Sequence, residues 1–187
     1  MGEKSFAFQC ACGERHVGPP NHGFTMPIAL AIQPEKVQAA AVRSRDFCAF
    51  EGTDGQRYYF ARVLLPVPIQ GSDDPFMWGI WVQLEAPDYR QYLDAYEQTE
   101  PQFRFKAWIR NDLPFYPQTD GLPIQLVSRA GGKLPTVEMQ PLPHRLSIDM
   151  QEGMTREMAA KMAASFCLAG KRASAAQAAA NLGTAAQ

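Results

Sequence analysis

Cys10, Cys12 and His16 lie within one seven-residue stretch, with Gly13 between them. Thiolates and imidazole are the donors that closed tetrahedral zinc sites use. A glycine allows the tight turn that would gather such donors. A fourth ligand is needed, and Cys48, on the next expected strand, is the candidate. The predicted metal set is therefore Cys10, Cys12, His16 and Cys48, with zinc as the cofactor. The spacing works against it. Side chains two apart on a strand point the same way but stand about two rises of 3.3 Å from each other, so convergence needs a local bend. The competing reading is a pair of reduced thiols in a mixed loop.

Two further residues qualify as binding candidates. Arg62 interrupts an apolar strand, where a guanidinium needs a carboxylate or an anionic ligand. With Thr53-Asp54-Gly55 as a three-residue hairpin loop and Gly55 left-handed, Gly52 pairs with Gln56 and Asp46 falls opposite Arg62. An ion pair between Arg62 and Asp46 is the preferred expectation, and a ligand site the other. Trp81, with Met77, sits on the strand face opposite an apolar stripe. It forms either a binding patch or the floor beneath a helix.

Enzyme signals are poor. No nucleophile elbow, His-Glu-X-X-His, Walker loop or dinucleotide fingerprint occurs. Cys48 with His16 or His144 as base is a conceivable thiol site. No catalytic residue and no other cofactor-binding residue is assigned. Arg104, Lys106, Trp108 and Arg110 make a basic strand face, but a formal charge of -1 argues against a nucleic-acid partner.

The elements that must position these residues follow from patterning. The 187 residues are 46% hydrophobic and 20% charged, a globular composition able to build a core without disulfides. No secretory signal, lipidation motif or membrane-length apolar run is recognisable, and the four cysteines are expected to be reduced, so a cytoplasmic location is expected. All 15 prolines lie between Pro19 and Pro143, which favours short strands and loops there.

Strands are expected at 5–10, 46–51, 56–65, 76–85, 103–110, 124–129, 134–140 and 144–150. Pro135 should hold its strand near a sheet edge. Tyr89, Tyr92, Leu93 and Tyr96 mark a mid-chain helix. Met154, Met158, Met162 and Phe166 recur every four residues, marking a C-terminal amphipathic helix capped at Thr155. The predicted fold is α+β: a mainly antiparallel sheet with these two helices, one domain over 1–170, and an Ala-rich flexible tail over 171–187.

Several blocks together carry a resemblance. They are Phe8-Gln9-Cys10-Ala11-Cys12-Gly13-Glu14-Arg15-His16, Asp46-Phe47-Cys48, Tyr59-Phe60-Ala61-Arg62, Pro68-Ile69, Phe76-Met77-Trp78-Gly79-Ile80-Trp81-Val82 and Leu113-Pro114-Phe115-Tyr116-Pro117. In that order the chain resembles a bacterial family catalogued as domain of unknown function 2199, from about Phe8 to Phe166. The resemblance implies a small bacterial intracellular protein and no particular activity. One departure is local: the family begins with Cys-X-X-Cys-Gly, whereas Cys10-Ala11-Cys12-Gly13 is one residue shorter.

The expected function is a non-catalytic protein-interaction module stabilised by zinc, its protein partner unidentified. The alternative is a small hydrolase or thiol enzyme using Cys48 or a metal at the Cys10–His16 cluster. No membrane association is expected.

Overall fold

The structure is a computed structural model describing residues 5–10, 12–96, 98, 102–129 and 133–167. Its longest strands are β6, Arg57–Val67, and β7, Phe76–Leu84, paired antiparallel from Tyr59↔Leu84 to Val67↔Phe76. Alternation sorts their side chains. Ala61, Val63, Leu65 and Val67 face the same core as Trp78, Ile80 and Val82, and all are buried.

Three shorter strands complete a ring: β8, Arg104–Ile109; β9, Pro123–Val127; and β10, Thr136–Glu138. β7 pairs with β8, β8 with β9 and β9 with β10, all antiparallel. β10 then returns to β6 in parallel through Thr136↔Leu64. The fold is α+β, but its sheet is a closed five-stranded barrel rather than the simple antiparallel sheet expected. Pro135 is part of the closure instead of marking an edge. Proline lacks an N–H but keeps its carbonyl, and that oxygen accepts from the Leu64 N–H at 3.0 Å.

The barrel carries extensions. β5, Phe47–Glu51, joins β6 through the predicted hairpin, with Gly52 N–H donating to Gln56 O at 2.8 Å and Gly55 at φ 74°. β4, Val42–Arg43, adds to β5. β3, Asn21–Gly23, lies parallel to β7. Near the N-terminus β1, Ala7–Gln9, and β2, Arg15–Val17, form a separate hairpin.

Helices cover the barrel. α3, Ala86–Ala95, lays Tyr89 and Tyr92 against Phe47, with ring centroids 5.9 and 4.9 Å apart. Residues 145–152 form α4, Arg145–Glu152, where a final strand was expected. Pro143 precedes it, His144 caps it by accepting from the Leu146 N–H at 3.1 Å, and Leu146 and Asp149 bury one face. This helical spacing outweighs the short apolar alternation.

The last described helix, α5, spans 156–167. Its cap is the one expected, with Thr155 Oγ1 accepting from the Met158 N–H at 3.2 Å. Met158, Ala159, Met162, Ala163 and Phe166 pack onto the main core. The segment assigned as a tail, 171–187, and the Gly131-Gly132 turn lie outside the described residues.

A second, smaller core lies on the outer face of β5, β6 and β7. It consists of Leu30, Cys48, Phe50, Phe60 and Trp81. Two short helices lie beside it, α1, Ile28–Ala31, which contributes Leu30, and α2, Glu35–Ala40, whose Val37 packs against it.

Candidate metal centre

The β1–β2 hairpin builds most of the site. Cys10 follows β1, and the chain turns at once: Gly13 N–H donates to Cys10 O at 3.0 Å, and Cys10 N–H donates to Glu14 O at 2.9 Å. Gly13 has φ 90°, a value that favours glycine. Cys10 thus opens a tight turn and Cys12 lies within it, instead of both standing on an extended strand. The bend that the short spacing demanded is present, and Cys12 N–H points at the Cys10 sulfur, 3.4 Å away. His16 follows on β2, its ring stacked on Phe8 at 5.1 Å.

The fourth member arrives from the other end of the chain. α5 ends its described span with Cys167, whose Sγ lies 3.7 Å from Cys12 Sγ and 3.7 Å from His16 Nε2. Cys12 Sγ lies 3.6 Å from His16 Nε2. The donor atoms of Cys10, Cys12, His16 and Cys167 all lie within 4.8 Å of one another. Phe166 anchors this end of α5, its ring stacked on His22 at 3.8 Å and set edge-on to Trp78 at 5.5 Å.

Three of the four predicted ligands therefore meet, and Cys48 does not join them. Cys48 is fully buried in the second core, among Leu30, Phe50, Phe60 and Trp81. Strand alternation explains its place, because Cys48 shares a face of β5 with Phe50. In the sequence Cys167 is marked only by its place beside the apolar stripe of Met158, Met162 and Phe166.

The thiols differ in acidity. Cys12 is drawn down to about 6, chiefly by its hydrogen bond with His16 and then by the Glu14 backbone. Cys167 is pushed up to about 11, first by its hydrogen bond with Cys10 and then by burial. Cys48 is pushed up to about 11 by burial, which leaves it a thiol at neutral pH. The proposed bases are remote from it in role: His16 belongs to the cluster, and His144 caps α4 while its Nε2 lies 2.7 Å from Pro117 O.

Of the two binding candidates, Trp81 takes the second of its two expected places, packed with Leu30 of α1, and Arg62 departs from expectation in its side chain. The register is as predicted, with Arg62 N–H donating to Asp46 O at 2.8 Å. The side chains nonetheless diverge, and no Arg62–Asp46 ion pair occurs among the described residues. Asp46 Oδ2 accepts from the Tyr96 hydroxyl at 2.7 Å. The Arg62 guanidinium extends over the paired glycines Gly23 and Gly79, where a Cβ would stand 3.2 and 3.3 Å from its nitrogen. Missing side chains at that pair leave the arginine its room. Trp81 is buried at 2% exposure, not a surface patch. Its Nε1–H donates to Phe24 O at 3.1 Å, and Asn111 Oδ1 accepts from its backbone N–H at 2.7 Å.

On the basic face of β8, Arg104 pairs with Glu138, and Arg110 Nε lies 3.0 Å from Asp120. Among the described residues no helix is long and apolar enough to cross a membrane.

Barrel, flanking helices and a Cys3His cluster define a small α+β protein with donors suited to a metal. The family described as "uncharacterized protein conserved in bacteria" (DUF2199) matches residues 9–154, and the chain belongs to it. No curated protein and no solved structure matches the chain. The family match stops before α5, so Cys167 lies beyond it.

Proposed function

We propose that this protein is a non-catalytic, cytoplasmic protein-interaction module whose N-terminal hairpin and terminal helix are clasped by a structural zinc ion. The closed donor set carries the reading. A tetrahedron with zinc–sulfur bonds of about 2.3 Å and zinc–nitrogen bonds of about 2.0–2.1 Å has sulfur–sulfur edges near ~3.8 Å and sulfur–nitrogen edges near ~3.6 Å. The Cys12–Cys167 separation is 3.7 Å, and His16 lies 3.6 and 3.7 Å from those two sulfurs. Four protein donors fill the tetrahedron and leave no position for water, which is the pattern of structural rather than catalytic zinc. Reduced cysteines held for a metal suit the cytoplasm.

A surface groove supports the interaction half. It has a volume of about 480 Å³ and is lined by Val42, Phe47, Tyr89, Leu93 and Tyr96 among others. Val42 is 67% exposed, and Leu93 and Tyr96 are also exposed. Apolar side chains gathered at a groove mark a binding surface more than scattered ones do.

Metal analysis of untagged protein tests the first half. Wild type and Cys48→Ala are expected to hold one equivalent of zinc, Cys167→Ala to lose it, and a chelator to lower the melting temperature of wild type. A zinc-free wild type, or zinc retained by Cys167→Ala, overturns the reading. For the second half, a photo-crosslinker at Leu93 is expected to capture a protein in cells, and Val42→Glu to abolish that capture without changing the melting temperature. Capture that survives Val42→Glu removes the groove from the proposal.

A further inference from the structure

We propose that Cys12 and Cys167 are a peroxide-sensitive pair, oxidised to a disulfide that opens the metal clasp. This rests on the zinc reading for its consequence, but the pair itself is defined by geometry.

The two sulfurs are 3.7 Å apart, and side-chain rotation can bring them to bonding distance. Cys10 also lies within 4.8 Å of both sulfurs, but it is less accessible. Cys10 is buried at 3% exposure, and Cys12 is only two residues from it, across a tight turn. Cys48 sits in a separate core.

Access favours the same pair. A cleft of about 440 Å³ runs beside the cluster, lined by Phe8, His16, His22, Phe166 and Cys167 among others. Cys167 lines this cleft and partly exposed Cys12 lies 3.7 Å from it, so a small oxidant in the cleft reaches the pair.

The chemistry balances with hydrogen peroxide as oxidant. The Cys12 thiolate attacks one peroxide oxygen, the O–O bond breaks, and the departing hydroxide takes a proton to become water. The resulting Cys12 sulfenic acid is then attacked by the Cys167 sulfur, which gives up its proton. The S–O bond breaks, an S–S bond forms, and the second hydroxide also leaves as water after protonation. Two sulfurs lose one electron each, and peroxide is reduced to two waters. Only Cys10 and His16 then remain as donors, too few for a closed zinc site.

The disulfide would also join residues 155 apart in sequence, so the hairpin and α5 stay linked after the metal leaves. Oxidation exchanges one clasp for another instead of unfolding the chain.

The test treats zinc-loaded and metal-free full-length protein with hydrogen peroxide. Zinc release is followed with a metallochromic dye, and cross-links are mapped by peptide mass spectrometry. The expected result is release of one zinc per disulfide, with Cys12 joined to Cys167, and reversal by a thiol reductant with zinc supplied. Cys48→Ala should behave as wild type, whereas Cys12→Ser and Cys167→Ser should not form the cross-link. Zinc release without a Cys12–Cys167 cross-link overturns the proposal, as does resistance of both forms to oxidation. If the protein takes up no zinc yet the metal-free chain forms the disulfide, the zinc reading falls and the thiol pair stands.

Discussion

Asp149 is where one substitution should reach furthest into the fold. Its carboxylate is buried at 3% exposure on α4, accepting from the Tyr116 hydroxyl at 2.9 Å and from Arg145 at 2.9 Å. Tyr116 is itself buried, and burial together with Asp149 raises its pKa, so it stays a neutral donor. Asp149→Ala removes the charged acceptor and strands a buried hydroxyl. A hydrogen bond to a charged group contributes about 1.5–3 kcal/mol, and a stranded polar group costs about 1–3 kcal/mol. The exposed Arg145 end of the pair adds little, because solvent screens it. The expected loss is about 3 kcal/mol, or roughly 6–12 °C in melting temperature for a chain of this size. Tyr116→Phe should cost less, about 1 kcal/mol, because the carboxylate keeps Arg145. Urea denaturation of wild type, both single variants and the double variant closes a double-mutant cycle, with an expected coupling of about 1–2 kcal/mol. A coupling below about 0.5 kcal/mol would refute the idea that this pair fastens α4, since residues in real contact should not behave additively.

Two other predictions probe how the proposed clasp is held. Asp74 accepts from the Phe6 N–H and the Ser5 hydroxyl, both at 2.7 Å, and these bonds hold its carboxyl below the ordinary carboxylate value. A depressed folded pKa stabilises above the unfolded value of about 3.9, and that contribution is lost as pH falls through the folded one. The stability gap between wild type and Asp74→Asn, read from urea midpoints, should therefore be constant near neutrality and close in acid; a gap that widens in acid contradicts this. Phe166→Ala should cost about 2 kcal/mol, below the range for a fully buried ring because Phe166 borders the cleft. Zinc affinity measured by chelator competition should fall about tenfold with it, and unchanged affinity would show that Phe166 does not position Cys167.

Patterning made the local elements legible because each obeys a short-range rule. Period-two alternation marked β7 and β8, a Gly-containing loop set the register of β5 on β6, and four-residue spacing marked α5. The closure of the sheet was not legible for a physical reason. It depends on Leu64 and Thr136, distant in sequence, meeting in parallel, and no periodicity within either segment encodes that partnership. Arg62 shows the same limit at one residue. The register was readable from the loop, but where the guanidinium goes depends on Gly23 and Gly79 leaving space on a neighbouring strand pair.

The candidate site divides along the same line. Cys10, Cys12 and His16 are legible because they are near neighbours in sequence, and the turn at Gly13 converts their spacing into convergence. Sequence proximity points to Cys48, on the nearest strand, as the fourth donor. The folded chain instead supplies Cys167, which reaches the hairpin because Met158, Met162 and Phe166 seat α5 on the barrel core. The apolar stripe of that helix therefore has a role beyond burial. Each residue that docks it also sets where the last sulfur stands, so packing changes along α5 should register at the hairpin turn, on the opposite end of the chain.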